Sequence, residues 1–344
     1  PYNHPFSEFE NSPNGMEFIR GQHNLRPRHR GCIATIGNFD GVHLGHQAIF
    51  AQLAEQAARF RLPRLVITFE PQPMEFFAGP QLAPARLMRL REKLLALDGL
   101  GIERVLCLEF GHRLAALSAQ AFIDDLLVSR LGVRYLVIGD DFRFGHRRAG
   151  DFALLVEAGQ QHGFEVADNR SYRVDGERVS STRIRQALVE GDLELAARLL
   201  GRPYGMNGRV AHGDRVGRTL GFPTANIHLH RRATPMYGVY AVLMSGPDLR
   251  LWPGVANIGR RPTVQGIREQ LEVHLLDFQG DLYSQHVKVD FLHYLRPEQR
   301  FESLDALRRQ IQRDVRQARS YFAAQGIRHF PPLSLEPEGS GWRG

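Results

Sequence analysis

The chain has 344 residues, of which 43% are hydrophobic and 24% are charged. These proportions are ordinary for soluble globular protein, and the length is too great for one typical domain but sufficient for two. No apolar stretch approaches the length of a membrane span, and no charged start followed by an apolar run marks a signal peptide. We therefore expect a cytoplasmic protein with no membrane partner.

The charge of the chain bears on its partners. A formal net charge of +7 raises nucleic acid as a candidate, but the basic residues are scattered and Lys93 and Lys288 are the only lysines. Scattered arginine favours small phosphate ligands, which its planar guanidinium binds as a fork, so we predict no nucleic-acid partner. Cys32 and Cys107 lie in apolar runs, and we expect buried free thiols.

The first folded segment follows a polar start. Residues 1–15 are rich in proline and polar side chains without any period, and we interpret them as a tail or a cloning remnant. The apolar run Cys32–Ile36 then predicts a buried strand, and the spacing of Ile49 and Leu53 predicts a helix. Between them lies a turn with three glycines, which allows the backbone to approach a phosphate at the positive end of the helix.

Two histidines, His43 and His46, lie at the N-terminus of this predicted helix. Two imidazoles three residues apart can point at one phosphate and stabilise charge that builds up there. A single histidine in a turn is more often a surface residue or a helix cap. Two close histidines also suit a metal site, but no nearby cysteine or carboxylate completes a tetrahedral set. We interpret the pair as catalytic residues for a reaction at phosphorus.

The turn as a whole reads Gly-Asn-Phe-Asp-Gly-Val-His-Leu-Gly-His over residues 37–46. It resembles the signature of nucleotidyltransferases with a His-x-Gly-His motif. In its fuller form it is similar to the FAD synthetase module of bacterial bifunctional riboflavin kinase/FMN adenylyltransferases. His-x-Gly-His alone also occurs in class I aminoacyl-tRNA synthetases, so the rest of the chain has to decide. The resemblance implies ATP binding by Gly37, Asn38, Phe39, Asp40 and Gly45.

Strands and helices alternate after the turn, which indicates a parallel sheet of Rossmann-like type. Strands are expected at 65–69, 104–108 and 135–139, and helices at 85–97, 119–131, 151–162, 179–188 and 193–200. Gly201 ends the last of these helices and Arg202-Pro203 breaks the pattern. We place the boundary of the first domain there, so that this domain comprises residues 16–201.

Two polar segments follow predicted strands, at the sheet edge where ligands of such folds bind. Glu70-Pro71-Gln72-Pro73 is expected to be an extended loop because of its prolines. The segment Asp140–Gly145 is, on spacing alone, equally well a simple turn with side-chain capping. Both resemble segments of the same family, in the expected order. The resemblance implies that the flavin lies near Glu70, Pro71, Pro73 and Asp141.

A third segment, Ser181-Thr182-Arg183, opens a predicted helix. Serine and threonine at a helix start are ordinary N-caps. Arg183 directly behind the hydroxyls adds a guanidinium fork, which makes the segment suitable for a triphosphate. The motif Ser-Ser-Thr-x-Ile-Arg also resembles the family. The resemblance implies that Ser181, Thr182 and Arg183 hold the ATP phosphates.

Beyond residue 202 the pattern changes to short β-branched or aromatic runs separated by turn signals. Such spacing favours a small antiparallel barrel or sandwich. Strands are expected at 204–211, 238–244, 255–258, 270–278 and 287–295, followed by a helix at 304–325. We take residues 202–328 as the second domain and 329–344 as a C-terminal tail.

The second domain has its own candidate site. The glycine-punctuated basic loop 208–218 is either a phosphate-binding loop or merely a hairpin. Thr224 and Asn226 point the same way on an extended strand, and their oxygens suit Mg²⁺ bound with substrate phosphates. Glu272 lies between apolar Leu271 and Val273 on a strand and is expected to face the barrel interior, with solvent as the alternative.

This set of residues resembles the riboflavin kinase module. The resemblance implies that Thr224 and Asn226 bind Mg²⁺ and ATP, and that Glu272 is the catalytic base. It further implies ATP binding by Gly208, Val210, Gly213 and Arg218.

The sequence thus predicts an enzyme with two active sites, which converts riboflavin to FMN and then FMN to FAD and pyrophosphate, using ATP at both steps. One rival is a different nucleotidyltransferase fused to an unrelated β-domain. Another is a flavin- or RNA-binding module without turnover. The sequence leaves self-association open.

Overall fold

The computed structural model of the protein describes residues 15–79, 82–139, 141–169, 172–211, 220–247, 249–263 and 266–327. It divides into two compact units. The first unit runs to Ala187 and takes up Leu195–Arg202 again, whereas the second comprises Leu188–Glu194 and the chain from Pro203 onward. No helix within the described ranges is long and apolar enough to cross a membrane.

The first unit is built on a six-stranded sheet in the order β1-β4-β3-β2-β5-β6, and every neighbouring pair is parallel. The predicted parallel sheet is therefore confirmed. The strands are β1 (Glu17–Arg20), β2 (Cys32–Ile36), β3 (Arg64–Glu70), β4 (Arg104–Glu109), β5 (Val133–Ile138) and β6 (Glu165–Asp168).

Helices cover both faces of this sheet. On one face lie α1 (Leu44–Phe60) and α3 (Leu90–Gly99), and on the other lie α5 (Ala119–Ala121, continued by a π-helix over Phe122–Arg130) and α6 (Phe152–His162). The remaining helices are α2 (Pro73–Ala78), α4 (His112–Ala115), α7 (Ser181–Glu190) and α8 (Leu193–Leu200). A small hairpin of β7 (Arg173–Val174) and β8 (Glu177–Arg178) precedes α7. Successive strand residues alternate between two cores: Ala34 and Leu106 belong to one, and Ile33 and Val105 to the other.

Two predicted elements of this unit are wrong in part. The helix expected from Ala85 begins only at Leu90, because the backbone N–H groups of Leu87 and Met88 donate to the Asp40 carboxylate at 3.0 Å each. The extended loop expected through Pro73 ends there instead, since proline fits the first position of a helix and α2 starts at it.

Both cysteines are buried and free, as predicted. Burial raises the pKa of the Cys32 thiol to about 12 and that of Cys107 to about 11. Both side chains therefore remain protonated and act as small apolar residues.

The second unit is a closed antiparallel barrel in the order β10-β13-β12-β11-β14-β9, which confirms the barrel prediction. Its strands are β9 (Tyr204–Ala211), β10 (Ala225–His228), β11 (Gly238–Gly246), β12 (Leu249–Thr263), β13 (Gly266–Leu275) and β14 (His286–Arg296). The predicted strand 270–278 thus ends earlier, at Leu275. Helix α9 (Leu304–Ala324) packs outside the barrel, with Ala318 and Phe322 against Val239 and Val255.

Candidate active sites

The glycine turn between β2 and α1 bends sharply. Phe39, Gly41 and Val42 have positive φ angles of 47°, 84° and 44°. At Gly41 a Cβ atom would also lie 2.8 Å from Leu87 Cδ1, so both conformation and space require glycine there. The bend turns the chain back so that α1 can start at Leu44 with its free N–H groups facing the turn.

The two histidines of the turn lie face to face. Their ring centroids are 3.5 Å apart with an interplanar angle of 18°. His43 caps α1, and its Nδ1 accepts the backbone N–H of His46 at 3.3 Å. Because Nδ1 is an acceptor, a neutral His43 carries its proton on Nε2. The structure therefore brings together the two residues that the sequence predicts to act on one phosphate.

Both imidazoles are held in the neutral form. Burial lowers the pKa of His43 to about 4; the Asp40 carboxylate opposes this shift, and Arg178 is one of three arginines that add to it. Burial, then the neighbouring His43 and then Lys93, lower the pKa of His46 well below its usual value. At neutral pH these rings can offer N–H donors, not cationic charge, to a bound ligand.

We expect the first unit to lose stability as the pH falls from 6.5 to about 4. Above 6.5 His43 is neutral in both the folded and the unfolded chain, but below it only the unfolded chain binds the proton, until the pH reaches the folded pKa of about 4. The loss in unfolding free energy is about 3 kcal/mol for this residue. Urea unfolding at several pH values measures it. An unchanged pH dependence in His43→Gln would contradict the assignment.

Asp40 is buried beneath the turn and 3% exposed. Its carboxylate accepts the backbone N–H groups of Leu87 and Met88 at 3.0 Å each and pairs with Arg185. Its backbone oxygen accepts the Ser181 hydroxyl at 2.9 Å. Asp40, which the resemblance assigns to ATP binding, thus has its carboxylate engaged by the protein and joins the turn to the start of α7.

Asp40→Asn is expected to destabilise the first unit by about 3 kcal/mol, because it leaves the half-buried Arg185 guanidinium without its carboxylate. The shift of the thermal or urea midpoint measures this change. Asp125→Asn is the matched control, since that residue forms an ion pair with Arg130 whose two side chains are 52% and 41% exposed. Its effect should stay within about 0.5 kcal/mol. Equal shifts in the two variants would contradict the scaffold role of Asp40.

The three predicted phosphate ligands at the start of α7 have three different surroundings. The Ser181 hydroxyl donates to the backbone oxygen of Asp40 in the glycine turn, and the Thr182 side chain is exposed. The Arg183 side chain faces the β7–β8 hairpin, where Nε lies 3.0 Å from a Glu177 carboxylate oxygen and Nη1 donates to the Val174 carbonyl at 2.9 Å. Arg185, one helical turn beyond Thr182, reaches the glycine turn at the Asp40 carboxylate. Arg202, which follows α8, also reaches the turn and donates to the Gly41 carbonyl at 2.7 Å.

A cavity of about 1160 Å³ opens beside the glycine turn. Gly37 and Asn38 line it on the side of the turn, and Pro73 and Asp141 belong to its wall. Most of the surface is apolar and seven phenylalanines contribute to it, which suits a flat ring system. The phenylalanines of the wall are Phe69, Phe76, Phe77, Phe110, Phe122, Phe142 and Phe144.

The remaining predicted residues of this unit lie beside the cavity or in the core. Glu70 forms a two-pronged ion pair with Arg86, at 2.7 and 2.9 Å. Pro71 follows it in the same loop and is exposed. Phe39 is buried, with its ring centroid 5.2 Å from that of His46. Gly45 fits closely under His43, since a Cβ would lie 3.2 Å from that ring.

In the second unit, Glu272 stands in a row of polar residues across three strands. It pairs directly with Asn226 on β10 and with Asn257 on β12. Gln270 holds the row together, because its Nε2 donates to Asn226 Oδ1 at 2.9 Å and to Glu272 Oε1 at 2.8 Å. Directly paired residues project from the same face of a sheet, so these side chains form one polar surface.

The expectation that Glu272 faces the barrel interior is wrong. Leu271 and Val273 are fully buried inside the barrel, and side chains alternate along a strand, so Glu272 points outward. Val239, which pairs with Asn257 and shares the outer face of Glu272, packs against α9. Glu272 is therefore half-buried at the outer surface near this helix.

A second cavity, of about 420 Å³, lies on this outer face and is lined by Thr224, Asn226 and Glu272 together. Its wall also contains Glu298, which the sequence analysis missed. Burial raises the pKa of Glu298, while a hydrogen bond with Asn257 opposes that shift. The signal for Glu298 is weak, because it follows β14 in an irregular segment without a motif.

Residues 208–211 of the predicted basic loop are described, and they belong to strand β9. Val210 is buried in the barrel, and Gly208 packs so closely against Ile227 of β10 that a Cβ would overlap it. Both therefore support the barrel wall. Gly213 and Arg218, also predicted to bind ATP, lie outside the described residues.

The two sites both suit reactions at phosphorus. Two neutral imidazoles at the start of a helix suit stabilisation of charge that develops on a phosphate, and a carboxylate in the wall of the barrel cavity suits removal of a proton from a hydroxyl. Residues 25–183 match the family model for FAD synthetase, and residues 200–322 match that for riboflavin kinase. The second match excludes the rival with an unrelated β-domain.

Similar proteins extend this match to almost the whole chain. The bifunctional riboflavin kinase/FMN adenylyltransferase of Escherichia coli K12 is 54% identical over 308 residues, which are 89% of this chain and 98% of that one. The protein of the same description from Pseudomonas fluorescens is 54% identical over 314 residues, with 91% and 100% covered. The chain belongs to the family of bifunctional riboflavin kinase/FMN adenylyltransferases, and thus to the enzymes of flavin cofactor biosynthesis.

A solved structure shows the same fold. The crystal structure of a macrolide-efflux protein from Streptococcus pneumoniae superposes with a TM-score of 0.76 at 30% identity, covering 89% of this chain and 99% of that one. The likeness concerns the architecture of the two chains.

Proposed function

We propose that the barrel unit phosphorylates riboflavin to FMN and that the parallel-sheet unit adenylylates FMN to FAD, with ATP as the second substrate of each step. The observation that carries this assignment is the convergence of motif residues on a cavity in each unit. The histidine turn adjoins the aromatic cavity, and Thr224, Asn226 and Glu272 share the other.

In the adenylylation step, an oxygen of the FMN phosphate attacks the α-phosphorus of ATP. A new phosphorus–oxygen bond forms, the bond to the β-phosphate oxygen breaks, and pyrophosphate leaves. His43 and His46 donate hydrogen bonds to phosphate oxygens as neutral imidazoles, and the first N–H groups of α1 add positive potential. The aromatic cavity holds the isoalloxazine ring next to the turn. Since the attacking phosphate is already ionised, no protein base is required.

In the kinase step, Glu272 accepts the proton of the ribityl 5′-hydroxyl while that oxygen attacks the γ-phosphorus of ATP. ADP leaves with the electron pair of the broken bond, and FMN is formed. Gln270 fixes the carboxylate through its hydrogen bond at 2.8 Å and thereby aims it at the cavity. Catalysis in such reactions consists mainly of positioning and charge stabilisation.

The oxygens of Thr224 and Asn226 fit a magnesium ion that enters together with ATP phosphates. They are hard donors on the wall of the cavity that contains Glu272. Within the described ranges no group of three histidine, cysteine, aspartate or glutamate side chains could hold a metal by itself. This donor set suits an ion that keeps phosphate and water ligands. When bound, magnesium neutralises charge on the phosphates.

Asn226→Ala is expected to raise the Mg²⁺ concentration for half-maximal kinase activity at least about tenfold. Calorimetric binding of ADP with and without Mg²⁺ should show the same loss, independently of turnover. FAD formation from FMN serves as the internal control, because Asn226 belongs to the other unit. An unchanged Mg²⁺ dependence of both ADP binding and kinase activity would contradict the proposed ligand role.

Labelled ATP tests which phosphate reacts at each site. With riboflavin as substrate, a γ-phosphate label should appear in FMN and then in FAD, whereas an α-phosphate label should appear in FAD alone. Release of pyrophosphate should equal FAD formation. An α-phosphate label in FMN would contradict the proposal for the barrel unit. FAD that lacks the α-phosphate label would contradict the proposal for the parallel-sheet unit.

A further inference from the structure

Lys93 on α3 is a buried cation that the mechanism above does not use. It is 1% exposed, and its Nζ lies 3.3 Å from the hydroxyl of Thr68, which is also fully buried. An ammonium group has three donors and is costly to bury without partners. Among the described residues, the Thr68 hydroxyl is its hydrogen-bond partner, so at least one further donor remains for another group.

The charges around Lys93 come from several elements. Burial lowers its pKa, and Arg86 acts in the same direction. Asp40 of the glycine turn, Glu70 at the end of β3 and Cys107 on β4 act in the opposite direction. Lys93 thus contacts the sheet at Thr68 of β3, and the carboxylates that act on its charge belong to the glycine turn and to the end of β3.

A buried ring nitrogen without a partner lies on α1, against the same region of the sheet. His46 Nδ1 is buried and has no hydrogen-bond partner among the described residues. Contacts connect it to the Lys93–Thr68 pair: Gly37 donates its backbone N–H to the Ile67 carbonyl, next to Thr68, at 3.0 Å. Gly37 also packs against the Phe39 ring, whose centroid is 5.2 Å from that of His46. The charge of Lys93 accordingly helps to lower the pKa of His46. A buried nitrogen without a partner costs about 1–3 kcal/mol, and a buried water that links two polar groups removes that cost.

We propose that Lys93 is a positioning residue that sets the tautomer of His46. One N–H of its ammonium group donates to a buried water, and that water donates to Nδ1. The ring proton of His46 then stays on Nε2. His43 obtains the same tautomer from the backbone N–H of His46. Both imidazoles then present an Nε2–H donor to the phosphates. This inference rests on the proposed adenylylation at the histidine turn.

The direct test is nitrogen NMR of the whole protein with ¹⁵N-labelled histidine. In the wild-type protein at pH 7, the His46 signals should show a protonated Nε2 and an unprotonated Nδ1. Lys93→Met, which keeps length but removes the donors, should move His46 towards a mixture of tautomers, whereas Lys93→Arg should restore it. A protonated Nδ1 in the wild type would overturn the proposal, even if the methionine variant fails to fold.

Kinetics give the second readout. Lys93→Met should lower kcat for FMN adenylylation about 10- to 100-fold with a smaller change in KM, and Lys93→Arg should recover part of it. Riboflavin phosphorylation provides the internal control, and Lys288→Met, at the other lysine, should leave adenylylation unchanged. A folded Lys93→Met with wild-type kcat and tautomer would overturn the inference. Absence of FAD formation by the wild type would instead contradict the proposed function. The NMR experiment would still report the His46 tautomer, because it does not depend on turnover.

Discussion

Glu272→Gln is expected to lower the rate of riboflavin phosphorylation about 10²- to 10⁴-fold, the usual contribution of a positioned general base. Glutamine has nearly the same shape, and it can still meet Gln270 with its carbonyl oxygen, but it cannot accept the proton of the attacking hydroxyl. Because Glu272 belongs to the barrel unit, conversion of FMN to FAD should keep its rate. Separate assays that start from riboflavin and from FMN measure the two effects.

Glu302→Gln is the matched control for this variant. Glu302 belongs to the same unit, is exposed, and precedes α9. It should leave both activities unchanged. A wild-type kinase rate in Glu272→Gln would show that another group takes the proton, and an equal loss of both activities would indicate misfolding instead of a catalytic defect.

His46→Ala is expected to have the opposite pattern, with FAD formation lowered about 10²- to 10³-fold, as for removal of one donor from a site of developing charge. The kinase step should continue, so that FMN accumulates from riboflavin. The effect should fall mainly on kcat, because the donor acts most strongly when charge builds up on the phosphates.

The control for the histidine variant is His23→Ala, an exposed histidine of the same unit. It should leave FAD formation unchanged. Unchanged FAD output in folded His46→Ala would refute the role given to the histidine turn. Loss of the kinase step as well would show that the substitution damages the fold.

The central elements of both units could be predicted from the sequence, because strands such as β2 and β3 are continuous apolar runs. The edge strands β1 and β6 escaped detection. Each has four residues and at least one charged side chain, and each is covered less completely than the central strands. A run this short forms a strand only because a neighbouring strand supplies its hydrogen bonds.

The motifs indicated which residues gather at the sites, but not how each side chain is used. The alternation around Glu272 fixed its face relative to Leu271 and Val273, yet the motif did not show which face was inside. Helix α9 covers part of the outer face, where Val239 and Val255 are buried against it, so apolar residues in the sequence of a strand do not by themselves identify the interior. In the same way, the motif did not show that Arg185 and Arg202 both contact the glycine turn, whereas Arg183 pairs with Glu177 of the hairpin.

The aromatic cavity is the part of the site that could not be predicted from the spacing of residues in the sequence. Its rings come from segments far apart in the chain, at the end of β3 and after β3, β4 and β5. The parallel order of these strands places their carboxyl ends side by side and thereby collects the rings. A phenylalanine soon after each strand, as at Phe110 and Phe142, was the available signal.

Product analysis of the purified protein tests the central claim most directly. The protein is incubated with Mg²⁺, ATP and either riboflavin or FMN, and the flavins are separated by chromatography. We predict FAD in both incubations, with FMN appearing first in the one that starts from riboflavin. FMN without FAD would contradict the role of the histidine turn, and no flavin product in either incubation would contradict the account of both sites.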